Sequence, residues 1–209
     1  MELNNIGNYG EALKEELKAL DLREKIGDLS NIAAYYQHIG EVYKLLGQKD
    51  KWREYFMIAD SLAGVDELYA NFFTHMSILN DMGGLYEHDG EYSKAREVYY
   101  QLYALCEKEQ YKNGMSVALS NLVPVLKKMG LKEEALKTAL NALKISSEMD
   151  KVYNVIIDLI TIGELYIDLN QASASIPYLK RAESLAKEKN FPSELIQSWA
   201  GLKKAFKQT

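Results

Sequence analysis

The sequence predicts an all-α chain of antiparallel helix pairs stacked into a solenoid. Three observations predict it. A segment of 40–43 residues recurs four times, without gaps over its first half. The apolar residues within it fall at helical spacing, on one face. Only 3 prolines occur in 209 residues, so little interrupts long helices.

The spacing predicts about ten helices. Gly7 and Ala12 match the turn and second helix of a preceding copy, which places a helix at 9–26. Tyr36, Ile39, Gly40 and Tyr43 define the helix at 29–46, closed by Gly47; Trp52, Phe56 and Ala59 mark its partner at 49–62. The next copy has Leu79, Met82, Gly83 and Tyr86 in a helix at 66–88, then Gly90, then Ala95, Tyr99 and Leu102 at 92–109. Leu119, Leu122, Val123 and Leu126 place a helix at 113–129, with Gly130 as its stop and Pro124 inside it as an expected kink. Ala135, Ala139 and Ala142 follow at 132–148. Leu159, Ile162, Gly163 and Tyr166 give 151–169, closed by Asn170. Ser175, Leu179 and Ala182 give 172–189, with Pro177 expected near the first turn, where a missing N–H matters little. Trp199, Leu202 and Phe206 give the last helix, 193–207, introduced by Pro192. The small residue in the first helix of most pairs admits a close neighbour.

These residues resemble the tetratricopeptide-repeat pattern, W-x2-L-G-x2-Y followed by A-x3-F. The turns at Gly47, Gly90, Gly130 and Asn170 lie 43, 40 and 40 apart, longer than the usual repeat of about 34 residues. That length resembles the branch found in kinesin light chains and bacterial peptide-responsive regulators. The resemblance implies a right-handed superhelical solenoid over residues 1–209 as a single array. It divides into a partial repeat at 1–28, repeats at about 29–71, 72–111, 112–150 and 151–191, and a partial repeat or capping helix at 192–209. The partial ends read as a piece cut from a longer protein, the alternative being natural half-repeat caps. Departures exist: Val123 replaces the packing Gly, and Trp52 and Ser175 replace the packing Ala.

Residue chemistry argues against an enzyme. His38, His75 and His88 lack metal-ligand spacing, and Cys106 is the single cysteine, so neither a metal site nor a disulfide is expected. No phosphate-binding loop or nucleophile elbow occurs, and no cofactor is expected. The net charge of −5 disfavours nucleic acid as a partner. No run of apolar residues suits a membrane span; the most apolar tract, 155–160, is interrupted by Asp158. Without a visible signal peptide the default compartment is the cytoplasm, or the periplasm if the chain is excised from a membrane-anchored sensor.

The resemblance also implies a ligand groove lined by the first helices of successive repeats. Carried over by register, it names Gln37, His38, Glu41 and Lys44, then Asn80, Asp81 and Glu87, then Ser120, Asn121, Lys127 and Lys128, then Thr161 and Glu164. Gln37, Asn80, Ser120 and Asn121 would form a polar row able to read a peptide backbone. The chaperone-type carboxylate clamp is not supported, because its Lys and Asn positions hold other residues here. The expected function is a non-catalytic scaffold that binds a protein or peptide segment, as the sensory or regulatory module of a larger bacterial signalling protein. The alternative is a spacer or self-association module, a homodimer through Trp199, Leu202 and Phe206.

Overall fold

In the computed structural model the described residues are 2–209, with side chains described from Tyr9 onward. They form ten helices: α1 (Glu2–Ile26), α2 (Ile32–Leu45), α3 (Lys49–Ala63), α4 (Phe72–His88), α5 (Tyr92–Lys108), α6 (Lys112–Lys128), α7 (Lys132–Glu148), α8 (Val152–Asp168), α9 (Ala172–Glu188) and α10 (Pro192–Gln208). Two compact units result, Met1–Gly90 and Glu91–Thr209.

In the first unit α2 packs on α1 and α3, and α4 on α3 and α2. Gly40 explains the closeness of α2 and α3. A Cβ there would lie 2.5 Å from Phe56 Cδ2, so only a hydrogen at that position lets the ring in. In the second unit each helix from α5 to α10 packs on the next, and α8 also meets α10. Leu179 of α9 sits between two such glycines. A Cβ on Gly163 would lie 2.5 Å from its Cγ, and one on Gly201 would lie 2.8 Å from its Cδ2.

The turns after α5 to α9 share one geometry. The third residue after the helix donates back to a carbonyl five residues earlier, as in Tyr111 N–H to Cys106 O (2.8 Å), Leu131 to Leu126 (2.9 Å) and Gln171 to Tyr166 (2.8 Å). The residue before it takes positive φ. Gly130 does so at no steric cost, Asn170 and Asn190 at little, and Gln110 against its preference.

Four expectations change. Gly7 lies inside α1 and is not a turn. The helix expected from 66 starts at Phe72, because Asn71 caps it by accepting from Thr74 N–H (3.0 Å). Residues before it form a loop pinned to the start of α2, with Asn31 N–H on Leu68 O (2.7 Å) and Ala33 N–H on Tyr69 O (3.0 Å), while Thr74 Oγ1 of α4 donates to Asn31 Oδ1 (2.9 Å). This loop accounts for the longer first spacing. Pro177 is the sixth residue of α9, so its missing N–H removes a bond to Ser173. Leu202 is not available to a partner: it is buried with Ile167, Ala172, Leu179 and Ala205, while Trp199 and Phe206 stay exposed.

Candidate functional site

The expected groove residues separate into two sets. In the first unit Gln37 is buried, 4% exposed, and its Nε2 donates to Ser77 Oγ (2.8 Å) and Asp81 Oδ2 (2.6 Å) of α4. Its amide N–H groups are therefore engaged across the helix pair. Asn80 also donates to Asp81. Burial nevertheless raises the Asp81 carboxyl above its ordinary range, against the pull of Gln37, Lys44 and Asn80. Glu41 is raised too, first by burial and then by the Asp81 charge. Lys44 Nζ lies 5.0 Å from the Trp52 ring centroid, a cation–π contact. His38 is exposed and Glu87 half-buried. This set is a self-satisfied polar network more than an open row.

The second unit has a recess of about 200 Å³. Its walls are Ser120, Val123, Pro124 and Lys127 of α6, Ile157, Asp158, Thr161 and Glu164 of α8, with Ala139 and Ala142 of α7 between them. Four expected groove residues, Ser120, Lys127, Thr161 and Glu164, thus come together. Asn121 is half-buried and Lys128 exposed, and neither lines the recess.

The recess has a cause in the sequence. Where α3 has Phe56 and α9 has Leu179, the same register position of α7 has Ala139. Opposite it Val123 stands where Gly40 and Gly163 occur, and the exchange of bulk leaves space between α6 and α8. Pro124, also on the wall, changes the bonding inside α6. It carries no N–H, so the Ser120 carbonyl loses its helical donor. At the mouth Lys127 Nζ lies 3.8 Å from Glu164 Oε2 and 3.5 Å from Asp168 Oδ2.

Asp158 is the residue sequence reasoning passed over. It is 6% exposed and accepts from Ser146 Oγ at 2.6 Å. Burial pushes its carboxyl up to about 6, opposed by the Ser146 bond. The signal was present, since a lone Asp broke the apolar tract at 155–160.

Elsewhere the chemistry is quiet. Cys106 is buried, and burial pushes its thiol up to about 11, well away from a reactive thiolate. Among the described residues no group of His, Cys, Asp or Glu side chains converges to hold a metal ion. No helix among them is long and apolar enough to cross a membrane.

Comparison with known proteins fits this geometry. Residues 33–65 and 159–189 match the family model described as Tetratricopeptide repeat. In sequence, no curated protein matches the chain. Among solved structures, BtubC from P. vanneervenii is similar with a TM-score of 0.78 at 16% identity, over 100% of this chain and 84% of that one. The apo form of RapI gives 0.75 at 15% identity, over 87% of this chain and 50% of RapI. NprR in complex with its cognate peptide NprX gives 0.58 at 18% identity, over 98% of this chain and 58% of NprR. The chain thus spans about half the length of RapI and 58% of that of NprR. Two segments of this chain match the tetratricopeptide-repeat model, and the chain as a whole shares the helical-repeat fold of these structures.

Proposed function

We propose that the chain is a non-catalytic scaffold that binds a peptide segment, with the α6–α8 recess as the centre of its groove. The observation that carries this is the recess itself, where four side chains named by the repeat register converge on an apolar-walled cavity. A concave, mostly apolar site with a few polar groups is what a peptide side chain needs. The tetratricopeptide fold serves generally as a binding scaffold, and NprR, of the same fold, is solved with a bound peptide. The finer proposal is a sensory or regulatory module acting within bacterial signalling.

Selection from a random-peptide display library, followed by amide-shift mapping on labelled protein, tests it. Saturable peptides should move the amides of Ser120, Thr161 and Glu164. Ser120→Trp, at an exposed position, should fill the mouth and weaken them about tenfold or more without unfolding the chain. Binding that ignores Ser120→Trp would remove the recess from the groove.

One observation favours a second role. Ile196, Trp199 and Phe206 are exposed on α10 at 62%, 52% and 56%, a larger apolar stripe than an isolated surface residue leaves. Self-association through that face predicts a mass that rises with concentration in light scattering. A constant monomer mass would dismiss it.

A further inference from the structure

The Ser146–Asp158 pair breaks the repeat at one place. At the register of Asp158 the other repeats carry Tyr35, Ile78, Ala118 and Ser198; at that of Ser146 they carry Ala63, Cys106 and Ala186. Ile78, Ala118, Cys106 and Ala186 are all within 1% of complete burial. A hydroxyl and a carboxyl therefore meet where two other repeats pack apolar groups; Ser198, also buried at the register of Asp158, instead returns its hydroxyl to the Glu194 carbonyl of its own helix. Burying a carboxyl costs stability, so a core position that keeps one points to a ligand it serves.

Resting on the peptide-groove assignment above, we propose that the recess takes the basic side chain, lysine or arginine, of a bound peptide, with the Asp158 carboxylate as its partner. The methylene stem lies against Val123, Pro124 and Ile157, and the cationic head meets Asp158. The dimensions suit it: about 200 Å³ holds one long side chain and not a segment of backbone with several. The charges suit it as well. Asp158 and Glu164 line the recess against one cation, Lys127, which is already shared between Glu164 and Asp168. From α7 only Ala139 and Ala142 reach the lining. Ser120 lines the same wall, and its hydroxyl can accept from an ammonium or guanidinium N–H. The Ser146 hydroxyl holds one carboxylate oxygen and leaves the other to the ligand.

The test titrates labelled full-length protein with capped tripeptides Gly-X-Gly, where X is lysine, arginine, norleucine or glutamate. Amide shifts at Ile157, Asp158 and Thr161 are followed. Lysine or arginine should bind about tenfold more tightly than norleucine, and glutamate more weakly than either. Asp158→Asn keeps the shape and a partner for Ser146, and should erase the preference for lysine over norleucine. Its unfolding midpoint, measured alongside, should not fall. The preference should also shrink between pH 7.5 and pH 5, since burial has raised the Asp158 carboxyl to about 6 and protonation removes its charge. Equal binding of lysine and norleucine, or a preference that survives Asp158→Asn, overturns the basic anchor and leaves the peptide groove standing. No shift at the recess with any tripeptide overturns both.

Discussion

At the scale of single residues, Asp158 sets the sharpest expectation. Its folded carboxyl titrates near 6, against an ordinary 3.8. The protonated form is thus favoured by folding. This contribution is present in full below the ordinary value and is lost as pH rises toward 6. The loss amounts to at most about 3 kcal/mol. Asp158→Asn should therefore match the wild type near pH 3.5 and exceed it above pH 7, by about 1–3 kcal/mol in urea unfolding. Because Asp28, Asp89 and Glu134 are shifted the other way, the difference between the two pH curves is the quantity to read. Parallel curves would show that Asp158 is ionised at no special cost. The sequence held this residue in plain view as an interruption. What it lacked was the depth of burial, which depends on a neighbouring helix and not on spacing along α8. Gln37 shows the converse. Its register position marked it as a groove residue, but the donor side of its amide is satisfied by α4.

At the scale of the helix, the repeat pattern located the elements to within a few residues, except at the start of α4, where a cap and loop intervene, and at the start of α1, which runs seven residues further back through Gly7. Apolar spacing reports the face of a helix, whereas Asn71 and Asn31 act through hydrogen bonds that no periodicity records. The pattern also fixes how close two helices come. Gly163→Ala places a methyl carbon 2.5 Å from Leu179 Cγ, so Leu179 or the helix must move. A loss of about 1–3 kcal/mol is expected in thermal or urea unfolding. Adding Leu179→Ala should make the Gly163→Ala change nearly neutral, a coupling that a double-mutant cycle reads directly. Additive losses would mean that α8 and α9 already have slack. The same bulk exchange runs in reverse at Val123 and Ala139, which is how ordinary packing rules open a recess in one repeat and close it in another.

At the scale of the molecule, packing inside each unit runs from helix to next helix, with few contacts between distant parts of the chain. Stability in such an arrangement is close to a sum over neighbours. The recess lies wholly within Glu91–Thr209. That segment expressed alone should remain helical by circular dichroism, unfold cooperatively, and keep the amide shifts that peptides cause in the full chain. A fragment that is unfolded, or that folds without binding, would show that the site needs the rest of the protein.

The two tryptophans divide between the units. Trp52 is in the first, 7% exposed, beside Phe56 and beneath Lys44; Trp199 is in the second, 52% exposed, with its indole N–H on Glu183 Oε1 at 2.7 Å. Their emission should differ in colour, blue for the sheltered indole and red for the wet one, and a soluble quencher should reach Trp199 first. Replacing either with phenylalanine leaves a single lamp in one half of the protein. Light alone would then report which half melts first.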